Sequence, residues 1–416
     1  DEDEEPDLTA CAILVAGQEW DFEDTEVDRF LLSCLGWAVR LEASDVHLEP
    51  KRARLQARLR VDGKLVRHTA QLEPLAGSRA VARLKVLAGM DVIRRGVPQA
   101  GSFRLVGESS EFDIRLSILP TEEGETAALR MIPVRREGRH LRTLVVKPSV
   151  ATEVQSLFEQ PSGLVLVAGP TGAGKTTTLY AGLQAAWDHE PTRNLVTVED
   201  PIDMRLDFAT QVSVQTEGEL SFDRILRSVL RQDPDVIMVG EIRDRESAAL
   251  ALEAGTTGHL VLSSSHSHFA LEAVARLRSL GVAPYLIATG LLAVVAQRLV
   301  PQNCPACQEE VELTGAERQA LTACHVMAEG ETIRVRRGRG CPACRQDGIL
   351  GRVALFEVLT TSAKLRRMIH DGASDAEMEQ QVGPSSIRPM AGYARYLLGE
   401  GLVAPEAIIR AFPSAD

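Results

Sequence analysis

The residues best equipped for chemistry begin at Gly169. Gly169-Pro170-Thr171-Gly172-Ala173-Gly174-Lys175-Thr176 is a G-x-x-x-x-G-K-T pattern, led in by the apolar run Leu164-Val165-Leu166-Val167 and followed by a helix-compatible segment. Glycines let such a loop turn successive N–H groups onto phosphate oxygens, and the start of a helix adds partial positive charge. Lys175 is expected to reach the β- and γ-phosphates of ATP, and the Thr176 hydroxyl to hold Mg²⁺. Chemistry beyond binding needs carboxylates. One apolar run ends in Glu199-Asp200, and Val236-Ile237-Met238-Val239 ends in Gly240-Glu241. Both acids fall at expected strand tips, where ligands gather in parallel sheets. Glu199 is expected to orient or deprotonate a water in line with the γ-phosphate. Glu241 is expected to contact Mg²⁺, directly or through water, or to polarise the attacking water. The residues alone leave open which acid is the base. His266 falls at or past the end of a third run, where it could sense the γ-phosphate by hydrogen bonding.

A second cluster is built from sulfur. Cys304-Pro305-Ala306-Cys307 and Cys341-Pro342-Ala343-Cys344 repeat one knuckle, and together they offer four thiolates for a structural Zn²⁺. Their separation exceeds the usual ribbon spacing, so a small helix is expected between them. Two pairs of free or redox-active thiols are the alternative. Cys324 and His325 lie between the knuckles and compete weakly as ligands. Cys11, Cys34 and Cys324 are expected to be spectators.

The elements that must hold these groups follow from hydrophobic pattern. Strands are expected over Leu164–Ala168, Asn194–Val198, Val236–Val239 and Leu260–Ser263, alternating with helical segments. That alternation predicts a mostly parallel sheet with helices on both faces over residues 149–300. Earlier in the chain the period changes. A helix is expected from Glu26 to Leu41, then half-buried strands, with Asp62-Gly63 as a tight hairpin turn. Residues 37–135 read as a small α/β domain with an antiparallel sheet, and 136–148 as a charged linker. Residues 301–350 form the cysteine-bounded excursion, and 351–416 are expected to be mainly helical. Residues 1–36 read as an acidic arm and the remnant of a further domain.

Bulk properties set limits. A length of 416 residues predicts two or three domains. With a formal net charge of −12 and only 4% aromatics, neither DNA nor anionic lipid is an expected partner. The best membrane candidate, Gly281–Ala296, is interrupted by Pro284 and too short to span a bilayer. The acidic start is the opposite of a signal-peptide n-region, so a cytoplasmic location is expected.

At this point the chain resembles the type II secretion and type IV pilus assembly ATPases, the GspE/PilB secretion-motor family. The resemblance runs in unbroken order from about residue 37 to 360. It is carried by ASDVHLEP (43–50), RVDG (60–63), GPTGAGKTTTLY (169–180), TVEDPID (197–203), LRQDPDVIMVGEIRD (230–244), TGHLVLSSSH (257–266), QRLV (297–300) and the two CPAC units. It implies a RecA-like P-loop NTPase domain, a smaller N-terminal PAS-like α/β domain and a small zinc-binding subdomain. It also implies an ATP-hydrolysing motor working as a homo-hexamer, with ATP between its two domains. The motor would lie at the cytoplasmic face of an inner membrane, contacting it only through platform and cytoplasmic-domain proteins. Carried over by position, Gly169 to Thr177 form the Walker A loop, including Thr177. Glu199 and Asp200 lie in the Asp box, with Glu199 the catalytic acid, and Glu241 is the Walker B glutamate. His259 and His266 belong to the His box. Arg115 and Arg130 match arginines that close over the phosphates, and Arg227 and Arg231 match another pair near the site.

The chain departs from the family in places. The usual PQDGR reads PQAGS, so Ala100 and Ser102 replace an acid and a base. The usual LSTLHTN reads LSSSHSH, and the asparagine expected after Gln211-Val212 is absent. The family's longer N-terminal domain is mostly missing. These departures motivate a second reading, a nucleotide-gated scaffold with negligible hydrolysis. Pilus retraction and DNA translocation are further alternatives for a RecA-like ring.

Overall fold

In the computed structural model the described residues are 12–15, 18–19, 25–106, 111–133, 140–200, 202–214, 222–383 and 386–412. The acidic start, Cys11 and the charged stretch 134–139 lie outside them. The chain divides into two compact units, residues 1–136 and 137–416.

The first unit is one antiparallel sheet with two helices. In chain order it contains β1 (Ala12–Val15), β2 (Gln18–Glu19), α1 (Glu26–Arg40), β3 (Asp45–Lys51), β4 (Arg54–Val61) and β5 (Lys64–Leu72). There follow α2 (Pro74–Leu87), β6 (Gln99–Val106), β7 (Glu111–Thr121) and β8 (Gly124–Pro133). The strand order is β2-β1-β6-β7-β8-β3-β4-β5. The Thr25 hydroxyl caps α1 by accepting from the Asp28 N–H. Phe30, Leu31, Cys34, Leu35 and Ala38 then recur at helical spacing and are buried. They share a core with Ala80, Val81, Leu84 and Leu87 of α2 and with Val46, Leu48 and Leu59 of the sheet. The period-2 alternation puts charge on the opposite face.

The second unit is the parallel α/β part. It begins with α3 (Leu141–Leu144), α4 (Pro148–Phe158), β9 (Gly163–Ala168), α5 (Lys175–His189), β10 (Leu195–Glu199) and β11 (Thr210–Ser213). Next come α6 (Phe222–Val229), β12 (Val236–Val239), α7 (Arg245–Thr256), β13 (Leu260–Ser265), α8 (Ala270–Ser279), α9 (Pro284–Gly290) and β14 (Leu291–Asn303). The strand order is β11-β10-β12-β13-β9-β14, all parallel. Strands β9, β10, β12 and β13 are buried at every residue, which is why they read as continuous apolar runs rather than alternating ones.

After β14 come β15 (Gln308–Val311), α10 (Gly315–Ala323), β16 (Val335–Gly338) and β17 (Ile349–Thr360). The chain then runs through α11 (Ala363–His370), α12 (Asp375–Gln381), β18 (Ile387–Arg388), α13 (Met390–Gly399) and α14 (Pro405–Ala411). The expectation of a mainly helical end needs correction at its start. β17 pairs antiparallel with β14 along most of its length and extends the main sheet. Its stretch from Val353 to Leu359 is buried throughout, Glu357 included, and such a stretch has no period by which to tell strand from helix. The segment Gly281–Ala296 is a short helix followed by strand, and no helix among the described residues is long and apolar enough to cross a membrane.

Candidate active site and metal centre

The phosphate loop leaves β9 at its C-terminal tip, between β13 on one side and β14 on the other. The Gly169 N–H donates to the Ser265 carbonyl of β13, 3.1 Å, which fixes the point of exit. Gly174 then caps α5 in the left-handed region, φ +86°, with no side chain bonded to the helix start. A helix N-terminus without a side-chain acceptor keeps its N–H groups available to an anion. Thr171, Thr176 and Thr177 are exposed at this mouth, with Gly172 beside them. Lys175 is folded back: its Nζ donates to the carbonyls of Gly169 (2.7 Å) and Pro170 (3.2 Å). Burial lowers its pKa, and attraction to Glu241 only partly opposes that. A half-buried cation resting on neutral carbonyls, beside an uncapped helix, suits a polyphosphate chemically.

From Lys175 a chain of polar contacts crosses the strand tips. His266 Nδ1 lies 3.4 Å from Lys175 Nζ, and His266 Nε2 lies 3.2 Å from Glu241 Oε2. Arg243 donates to the other oxygen of Glu241 and reaches Asp200 Oδ2 at 3.4 Å. Burial alone would raise the Glu241 pKa. The Arg243 hydrogen bond and charge, with His266, more than offset it and hold the carboxyl below its ordinary value. Arg243 was not singled out in the sequence. It lies two residues after Glu241 on the same strand exit, and that offset is the signal that could have found it.

Glu199 does not join this chain. It is 4% exposed and accepts from the Thr197 hydroxyl (2.6 Å), the Tyr180 hydroxyl and the Gln211 amide (3.3 Å). Burial dominates and carries its pKa above the ordinary value despite those donors. His259 needs a firmer correction. It precedes β13, at the opposite end of the strands from the phosphate loop, and its Nδ1 lies 3.1 Å from the Ala254 carbonyl. One strand length, about 20 Å, separates it from the tip where His266 sits.

Two arginines of the second unit are also placed elsewhere. Arg227 pairs with Glu246 of α7 at 2.9 Å, and Arg231 bonds the Arg227 carbonyl and the Ser228 hydroxyl of α6, so neither contacts the loop through these bonds. In the first unit, Arg115 and Arg130 face each other across β7 and β8. Arg130 Nε donates to Asp45 at 3.2 Å, and Arg60 approaches the same carboxylate at 3.9 Å. These residues form a cationic row with one acid in it.

The four cysteines come together. All four Sγ atoms lie within 4.8 Å of one another. Cys304–Cys341, Cys307–Cys344 and Cys341–Cys344 are separated by 3.9, 3.8 and 3.7 Å. A tetrahedron with Zn–S bonds of about 2.3 Å has sulfurs about 3.8 Å apart, so the arrangement is compatible with zinc. Backbone N–H groups of Cys341 and Gly348 donate to Cys344 Sγ, both at 3.2 Å, as befits a thiolate. Cys324 and His325 follow α10 and stand outside this cluster. The two knuckles hang from the ends of β14 and β17. Asn303, the last residue of β14, donates from its side-chain amide to the carbonyls of Arg336 and Gly401.

With the geometry in place, comparison with known proteins decides the lineage. A family model described as "Type II/IV secretion system protein" matches residues 21–410. The chain belongs to that family. It is 38% identical over 395 residues to the type II secretion system protein E of Pseudomonas aeruginosa, covering 93% of this chain and 76% of that one. It is 39% identical over 360 residues to the type II secretion system ATPase E of Vibrio cholerae, covering 86% and 70%. Among solved structures, the pilus retraction motor PilT with bound ADP aligns with a TM-score of 0.62 at 23% identity, covering 94% of this chain and 98% of that one. The Legionella pneumophila ATPase DotB aligns at 0.67 and 19%, with the same two coverages. Those two likenesses show the fold alone, a RecA-like α/β fold. This member of the secretion family is an ATPase of the secretion class.

Proposed function

We propose that this chain is the ATP-hydrolysing motor of a type II secretion machine. Relatives at 37–39% identity across most of the chain carry that name, and this favours secretion over pilus assembly or retraction. The observation that carries the reading is the line Lys175–His266–Glu241–Arg243–Asp200 beside an uncapped phosphate loop.

In this reading Lys175 exchanges its two loop carbonyls for the β- and γ-phosphates. The N–H groups from Gly172 to Thr177 surround the same oxygens. Glu241 orients the attacking water and takes its proton as the oxygen bonds to the γ-phosphorus and the bond to the β–γ bridging oxygen breaks. ADP and phosphate leave, and the proton passes to solvent. Thr176 and Asp200 would hold Mg²⁺, which when bound neutralises charge on the β- and γ-oxygens. Arg243 and His266 keep Glu241 ionised and aimed. Glu199 acts through Tyr180 as a positioning acid rather than touching water. The four cysteines would hold zinc as a structural ion, away from the chemistry. The working assembly is a homo-hexamer engaging an inner-membrane platform protein from the cytoplasmic face.

One observation favours the scaffold as a second reading. Arg243 and His266 occupy the two oxygens of Glu241, and in this second reading turnover stays slow until they move. Phosphate release by the purified chain, with and without its membrane partner, separates the two. A chain that binds ATP but releases no phosphate under either condition is the scaffold. A chain that binds no ATP ends both readings.

A further inference from the structure

Strand β14 does not stop where β9 stops. Its pairing with β9 ends at Ala296 opposite Ala168, and the strand runs on past the phosphate loop. Gln297 is the first residue beyond that point and is 1% exposed. Its Nε2 donates to the carbonyl of Ala173, within the loop, at 2.6 Å. Its backbone supports the loop's other end. A Cβ added at Gly169 would lie 2.5 Å from the Gln297 carbonyl oxygen, and one at Gly174 would lie 3.2 Å from Nε2. The loop therefore rests on Gln297 at its first glycine, at Ala173 and at its last glycine.

The direction of the hydrogen bond matters more than its existence. In a trans peptide the C=O and the following N–H point opposite ways. The Ala173 carbonyl is turned onto Gln297, so the N–H of Gly174 is turned away from β14. The amide also carries a cost, because Gln297 Oε1 is buried with no partner among the described residues. An apolar side chain of the same volume would fill the space without that unmet acceptor. A donor to Ala173 is what the glutamine adds.

We propose that Gln297 is a positioning residue for ATP: its side-chain amide sets the Gly174 N–H, and with it the shape of the phosphate cradle. This rests on the reading of residues 169–176 as an ATP-binding loop. Gln297 touches no phosphate itself. The interactions it orients are made in ground state and transition state alike, so its loss raises KM and leaves kcat at saturating ATP nearly unchanged.

The test uses the full chain, with Gln297→Met (equal volume, no donor) and Gln297→Glu (equal shape, acceptor in place of donor). Both variants are expected to bind ATP about tenfold more weakly at neutral pH, with kcat within about twofold of the parent. A buried carboxyl regains a proton as pH falls and can donate to Ala173 again. The Gln297→Glu chain should therefore recover affinity between about pH 8 and pH 6 relative to the parent, while the Gln297→Met chain does not. Parent-like affinity and KM in both variants overturn the proposal. So does a loss of the thermal transition in both, which would assign Gln297 to folding alone, and so does equal pH behaviour of the two. Failure of the parent chain to bind ATP, judged beside Lys175→Ala, sinks the loop reading instead.

Discussion

The phosphate loop leaves β9 and rests on Gln297 of β14, the cysteine clasp follows the end of β14, and the two are built on opposite principles. The loop uses backbone. Its groups face outward, α5 starts without a side-chain cap, and Lys175 rests on carbonyls it can leave. The clasp uses side chains. Four sulfurs converge at about tetrahedral spacing, three of them buried, with no position left for a passing ligand. One site is unfinished so that a substrate can complete it in every cycle. The other is complete once a metal is in place. A metal bound there would order a region too small to bury a large core of its own. Between them β14 runs from Gln297 to Asn303, so both sites share a rigid element.

The largest effect should come from Lys175→Ala. Loss of the loop's only lysine should cut ATP turnover at least about 100-fold while leaving the zinc content of the chain unchanged. Phosphate release and metal analysis on one preparation check both halves. A loss of zinc along with activity would break the claim that the two sites are separately built. Next is Glu241→Gln, for which ATP binding should persist while turnover falls on the order of 100-fold. Full activity would move the base to another acid. Cys304→Ser tests the clasp from the other side. The chain should lose its zinc and its thermal midpoint should fall by more than about 5 °C, yet ATP affinity should stay within a few fold. A parent chain with far less than one zinc after purification without chelators would sharpen the comparison differently, by leaving the clasp as a thiol cluster.

How much of this was legible differs along the same lines. The loop could be read from local order, because strand, glycines, Lys175-Thr176 and helix are consecutive. The four cysteines could be read because only a few residue types bind zinc and the knuckle is repeated. Each fully buried parallel strand could be read from its apolar run. The placement of single polar residues could not. His259 and His266 lie on the two ends of one strand, and only the direction of β13 tells which end meets the loop. Glu199 and Glu241 both follow apolar runs. Their difference comes from Tyr180, Thr197 and Gln211, which surround one carboxylate and not the other. Those donors come from three elements, and tertiary packing alone unites them. β17 is harder to read than those strands because the buried Glu357 interrupts its apolar residues and it lies outside the strand–helix alternation of residues 149–300.

Glu199 gives the smallest and most specific prediction. It sits at the open end of the sheet but is satisfied like a group in the clasp. Burial raises its pKa above the ordinary value, so the folded chain holds this proton to higher pH than the unfolded chain does. The stability it contributes is then fully present below the unfolded pKa and is lost as pH rises through the folded one. Glu199→Gln removes that titration. Urea midpoints measured from about pH 5 to about pH 8 should fall less steeply for the variant than for the parent. An offset between the two curves is expected as well, because an amide cannot accept from three donors as a carboxylate can. The slope is therefore the quantity that decides. Parallel curves would mean that Glu199 stays ionised throughout, and an ionised buried acid beside the strand tips would have to be considered again as the group that meets water.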